Sequence, residues 1–103
     1  MPKMDLIIKL HGDVNYHLSS CAGIYNIAPN LVNEKSYWLQ EEGEFALYNH
    51  DGFWLIGNKL GQPNCMIHSQ GDFAEWPQEV TEWNYLRKNK RNPTSDINIQ
   101  PGT

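Results

Sequence analysis

Glu44-Phe45-Ala46-Leu47-Tyr48-Asn49-His50-Asp51-Gly52-Phe53-Trp54-Leu55-Ile56-Gly57 is the stretch on which the fold of this chain turns. Two apolar runs flank an Asp-Gly pair, the strongest short-range mark of a β-hairpin with a type I′ turn. That turn needs positive φ at both central residues, which Asp tolerates and Gly adopts freely. The turn in turn dictates a register: His50 opposite Phe53, Tyr48 opposite Leu55 and Ala46 opposite Gly57 on one face, with Leu47 opposite Ile56 and Asn49 opposite Trp54 on the other. Both faces are largely apolar, so the hairpin should be covered on both sides and sit at the centre of a β domain.

Outward from the hairpin, further short strands follow. Leu6, Ile8 and Leu10 alternate with Ile7 and Lys9, and His11 to Ser20 reads as a polar loop. Gly23–Ile27 is a second strand, stopped by the turn signal Ala28-Pro29-Asn30. Lys35–Gln40 is a third strand, and Glu41-Glu42-Gly43-Glu44 an acidic turn into the central hairpin. Leu60–Asn64 is a loop and Cys65–Ser69 a strand. Pro77 opens a short helical turn over 77–82, followed by a strand at Trp83–Leu86. Asp96–Gln100 alternates as a final edge strand before Pro101. Short strands with regular turn signals indicate an all-β fold, a small antiparallel sandwich or partly open barrel of about seven or eight strands. The chain reads as one domain over residues 1–103, with flexible ends at 1–4 and 100–103.

The landmarks Gly23-Ile24-Tyr25, Tyr37-Trp38-Leu39, Phe45-Ala46-Leu47-Tyr48, Trp54-Leu55-Ile56-Gly57, Leu60-Gly61 and Trp83 come in a recognisable order. They resemble a small aromatic-rich all-β module of uncharacterised eukaryotic proteins, often present in tandem copies. The likeness runs from Leu6 to Ile99 and departs from the pattern at Asn30–Lys35, where members carry a Gly- and Pro-containing turn. It implies an all-β module and brings no catalytic residues with it.

Charge narrows the partners. Residues 1–86 carry eleven acidic and four basic side chains, whereas residues 87–103 carry four basic and one acidic. The main body is thus a poor match for phosphate backbones, and the Arg87–Arg91 run reads as a solvated loop rather than a nucleic-acid site. No apolar run approaches the roughly 18 residues of a membrane-spanning helix. Met1–Leu10 lacks the long apolar core and cleavage site of a secretion signal, and no Asn-X-Ser/Thr acceptor occurs. These features favour a cytoplasmic chain slightly and assign no compartment. Cys21 and Cys65 read as free thiols inside a cell, or as one bridge if the chain is exported.

Catalytic and metal chemistry finds little support. His11, His17, His50 and His68 show no zinc-type spacing, so neither a metal nor another cofactor is expected. No nucleophile elbow surrounds a Ser, and neither Cys carries a family signature. His68 and Ser69, near Asp72, should point to opposite faces of a strand and cannot cooperate. Gly57-Asn58-Lys59-Leu60-Gly61 lacks the Gly-Lys-Ser/Thr of a phosphate loop. Glu41, Glu42 and Glu44 fall in one turn, not across a cleft. The enriched feature is aromatic: four Trp, five Tyr and three Phe. Trp54 reads as core, whereas Tyr48, Trp76 and Trp83 are candidate contact rings. The expected function is a non-enzymatic module that binds a protein partner through an aromatic and loop surface or the Ile97–Ile99 edge. The alternative is a glycan-binding module that stacks sugars on those three rings.

Overall fold

The computed structural model describes residues 4–71 and 74–102. Among the described residues nine strands form one antiparallel sheet: β1 Leu6–Leu10, β2 Gly23–Val32, β3 Lys35–Gln40, β4 Ala46–His50, β5 Phe53–Gly57, β6 Ile67–Ser69, β7 Trp83–Arg87, β8 Lys90–Thr94 and β9 Ile97–Pro101. The order across the sheet is β8-β7-β6-β5-β4-β3-β2-β1-β9. The chain therefore meanders from β1 to β8, and β9 returns to the far side of β1 as an edge strand. The sheet curls into a half-barrel, the partly open form of the all-β fold that the sequence implies.

The central hairpin has the register dictated by its turn. His50 faces Phe53, Asn49 faces Trp54, Tyr48 faces Leu55, Leu47 faces Ile56 and Ala46 faces Gly57. Asp51 and Gly52 have φ of 51° and 89°, and the Asn49 side chain accepts the Gly52 N–H at 3.1 Å. Leu47, Trp54 and Ile56 enter the main core on the inner face, with Leu6, Ile8, Tyr25, Trp38, Ile67 and Trp83. Ala46, Tyr48 and Leu55 form a second, smaller cluster on the outer face. Trp38 and Trp54 meet edge to face at 5.9 Å, and each finds a backbone acceptor for its indole N–H: Met4 O and Ala74 O, both at 2.8 Å. Trp38 and Trp54 are thus buried with their donors satisfied, whereas the Trp83 indole N–H is buried without an acceptor among the described residues.

Three local expectations are corrected. The supposed loop after β1 contains helix α1, Gly12–Leu18, followed by a 3-10 turn at Ser19–Cys21. Val14 of α1 is buried in the inner core and Leu18 packs against it, a one-turn apolar pair that covers the concave face. Strand β2 does not stop at Ile27. It runs through Pro29 to Val32 because the register against β3 shifts between Ile27 and Leu31, and such an irregularity accommodates a proline. The basic run is not a loop: Lys88 and Asn89, at φ of 52° and 61°, turn β7 into β8. Lys90, Arg91 and Pro93 then occupy an edge strand, where charge and proline discourage pairing with other chains. β8 is the strand that raises the count to nine.

Contacts reach close to both ends of the described chain. Met4 packs on the core and accepts the Trp38 indole, Gln100 and Pro101 pair with β1, and Gly102 N–H donates to Asp5 O at 2.7 Å. Met1–Lys3 and Thr103 lie outside the described residues. The short helical turn is a 3-10 turn at Pro77–Glu79, ahead of β7 as anticipated.

Candidate functional site

The connection from β5 to β6 spans residues 58–66, too long for a tight hairpin, and its backbone folds back over the outer face. Tyr48 holds it there. The ring is fully buried, and its hydroxyl meets Gln62 O at 2.6 Å, Lys59 O at 3.1 Å and Asn64 O at 3.4 Å. Burial pushes the phenol up to about 12, with the Cys65 thiol adding to the effect, so it stays a donor at neutral pH. The loop lies close: a Cβ on Gly57 would come within 3.1 Å of Asn64 O and of Cys65 Cα.

This loop covers only part of the outer face. Beside it a cleft of about 390 Å³ opens, with Phe53, Leu55 and Pro63 as its apolar surface. His50, Asp51, Cys65, His68 and Arg91 complete its walls. Strand register gathers them: His50 lies opposite Phe53 on the hairpin, His68 opposite Leu55, and Leu86 of β7 opposite Arg91 of β8. Arg91 Nη1 donates to Cys65 O at 3.0 Å and approaches Met66 O at 3.5 Å, reaching across the outer face to the loop. Among the described residues Arg91 has no carboxylate partner. His68 Nδ1 lies 2.9 Å from Ser69 O. A carbonyl only accepts, so Nδ1 carries the proton and Nε2 is the nitrogen left for a ligand. His50 Nε2 sits 3.4 Å from Asp51 Oδ2.

Two further hollows adjoin this cleft. One of about 520 Å³ shares His50 and Asp51 with it and extends to the β2–β3 turn, where Asn33 and Glu34 hold φ of 50° and 67°. Asn33 Nδ2 donates to Asn49 O at 2.8 Å and ties the two turns together. The other hollow, of about 250 Å³, shares Cys65 and Arg91 and extends to Lys59 and Leu86. The three lie in a row from the turn end to β8.

The candidate contact rings fare differently. Tyr48 and Trp83 are both completely enclosed, so neither offers a face to a sugar or partner. Tyr48 acts instead as the anchor of the loop, and Trp83 belongs to the inner core. Trp76 is half-buried against that core, and the Glu79 carboxylate accepts its backbone N–H at 3.1 Å. The structure does not bring these three rings to one surface. Phe53 and the pair His50 and His68 are the site residues that sequence reasoning missed. Alternation did place His50 and Phe53 on one face, but the long 58–66 connection concealed the register that adds His68.

Reactive groups are muted. Burial raises the Cys65 thiol, and the Arg91 guanidinium only partly offsets it, so the thiolate is scarce at neutral pH. Cys21 is pushed up to about 12 by burial. Both thiols are free, and they belong to opposite faces of the sheet, Cys21 to the inner core and Cys65 to the outer cluster. Ser69 Oγ accepts the Trp54 N–H at 2.9 Å in the interior, away from the outward His68, while Asp72 lies outside the described residues. Among the described residues no three His, Cys, Asp or Glu side chains converge as a metal set.

A second charged cluster joins α1 to β7. Asp13 accepts the Tyr85 hydroxyl, with Arg87 Nη1 at 3.6 Å and His17 Nε2 at 3.5 Å. The Tyr85 hydrogen bond, followed by Arg87 and His17, holds the Asp13 carboxyl below its usual range against a smaller opposing effect of desolvation. Asp13 gathers Tyr85, His17 and Arg87 Nη1, while Arg87 Nε is buried without a partner among the described residues, and the cluster reads as a latch between helix and sheet.

No family model matches this chain, and neither a curated protein nor a solved structure matches it.

Proposed function

We propose that this chain is a non-enzymatic binding module that holds a segment of a protein partner in the row of hollows on the outer face. The observation that carries the reading is the cleft itself, open to solvent: Phe53 and Pro63 beside the buried Leu55, ringed by His50, His68 and Arg91. Specific sites commonly combine such an apolar surface with a few convergent polar groups. A protonated thiol at Cys65 argues for binding over thiol chemistry. A glycan would favour broad exposed rings, and enclosure of Tyr48 and Trp83 withdraws two of the three nominated for that role.

The test is selection from a displayed library of random dodecapeptides, followed by amide NMR of the labelled chain with the selected peptides. The expected footprint covers His50, Phe53, Leu55 and His68. Failure to enrich any peptide, or a footprint confined to the β9 edge, overturns the reading.

A further inference from the structure

The three hollows share walls in sequence and cross the sheet from the β4–β5 turn to β8. Four strand spacings separate β4 from β8, about 19 Å, which is the length of about six extended residues. The row is therefore shaped for a short extended chain rather than for one compact ligand.

Its two ends differ in charge. At the β8 end the charged lining groups are Lys59 and Arg91. Among the described residues neither has a carboxylate partner, and Arg91 spends only Nη1 on the loop carbonyls. At the turn end Glu34 and Asp51 outnumber Lys35. Between the ends lie Phe53, Leu55 and Pro63. A partner with matching charges at its two ends fits this gradient, whereas a uniformly acidic or basic segment meets repulsion at one end.

We propose that the row of hollows binds an extended peptide segment of about six residues with an apolar centre, whose acidic end lies against Arg91 and Lys59 and whose basic end lies against Asp51 and Glu34. The proposal rests on the protein-binding reading above and adds the chemistry and the direction of the segment. The guanidinium offers a planar fork to the carboxylate, which an ammonium cannot reproduce. His50 and His68 stand along the path, where Nε2 of His68 can meet a backbone group of the segment.

The probe is acetyl-Lys-Gly-Leu-Val-Gly-Glu-amide, compared with versions in which Lys, Glu or both become Gln. Each replacement is expected to weaken binding roughly threefold at low salt, as for an exposed ion pair. A spin label at the Lys end should broaden the amides of Glu34 and Asp51 and spare Arg91. Arg91→Glu should reverse the preference, favouring a peptide with Lys in place of Glu. Lys59→Glu, at an exposed loop position, gives the same reversal in smaller measure and serves if the first variant fails to fold. Equal affinity for the charged and Gln peptides with a footprint in the row overturns the polarity and leaves the protein-binding reading standing. No binding by any of the four peptides overturns the proposal, and the library selection then judges the broader reading separately.

Discussion

Tyr48→Phe removes one oxygen from a buried ring and nothing else. The hydroxyl has one proton to give and three carbonyls around it, with Gln62 O nearest at 2.6 Å and Lys59 O and Asn64 O at 3.1 and 3.4 Å. The ring stays in place, so no large cavity opens. The cost is one buried hydrogen bond plus acceptors that lose their donor, about 1.5 kcal/mol for loop carbonyls that recover some water. For a chain of 103 residues this corresponds to a fall in Tm of roughly 6–12 °C. Thermal unfolding followed by near-UV circular dichroism measures it. Amide exchange should speed up selectively over residues 58–66, because the loop loses its anchor while the strands beneath keep theirs. A Tm within about 2 °C of the parent, or faster exchange spread evenly over the sheet, would refute the idea that this hydroxyl holds the wall of the cleft.

Gly57→Ala should destabilise the fold by roughly 1–3 kcal/mol, since the added Cβ would meet backbone atoms of Asn64 and Cys65 at 3.1 Å that cannot rotate away. The urea midpoint reports this, and an unchanged midpoint would mean that the loop stands off the sheet. Asp13→Asn tests the latch through pH. Because the folded carboxyl sits below its ordinary range, its stabilising effect is present above the unfolded value of about pH 4 and is lost as pH falls through the folded value. Urea midpoints of the parent should therefore drop between about pH 6 and about pH 3 more steeply than those of the variant, and parallel drops would exclude the latch.

The central hairpin was legible because its turn chemistry and its apolar pattern demand the same register. The errors arose where two rules conflicted. Arg87 to Arg91 reads as a solvated loop, and β8 is solvated, but at a sheet edge rather than in a loop. Pro29 reads as a strand stop, yet the register shift against β3 absorbs it. In α1 only Val14 and Leu18 touch the core, and two apolar residues one turn apart are too few to stand out as a helix. Ring enrichment misled for a different reason. Tyr and Trp carry one polar atom each, and the backbone acceptors that satisfy Tyr48, Trp38 and Trp54 lie far away in sequence, at Gln62, Met4 and Ala74. Nothing local to those rings announces that they can be sealed.

The cleft could have been half inferred. A hairpin apolar on both faces needs a cover on each, and the long connection 58–66 is the nearest segment available to cover the outer one. A single loop of that length cannot cover a whole sheet face, so a boundary between covered and open apolar surface must exist beside it. Tyr48 lies on the covered side and Phe53 at the open margin, although both belong to the same face of the same hairpin. What the sequence withholds is the direction in which the loop folds. That direction follows from the contacts of Tyr48 with the loop carbonyls and from Arg91 of β8 reaching Cys65, and both are long-range consequences of the strand order. The candidate site is thus the margin of a loop laid over a doubly apolar hairpin, and its polar groups are those that the strands beyond the hairpin, β6 and β8, deliver to that margin.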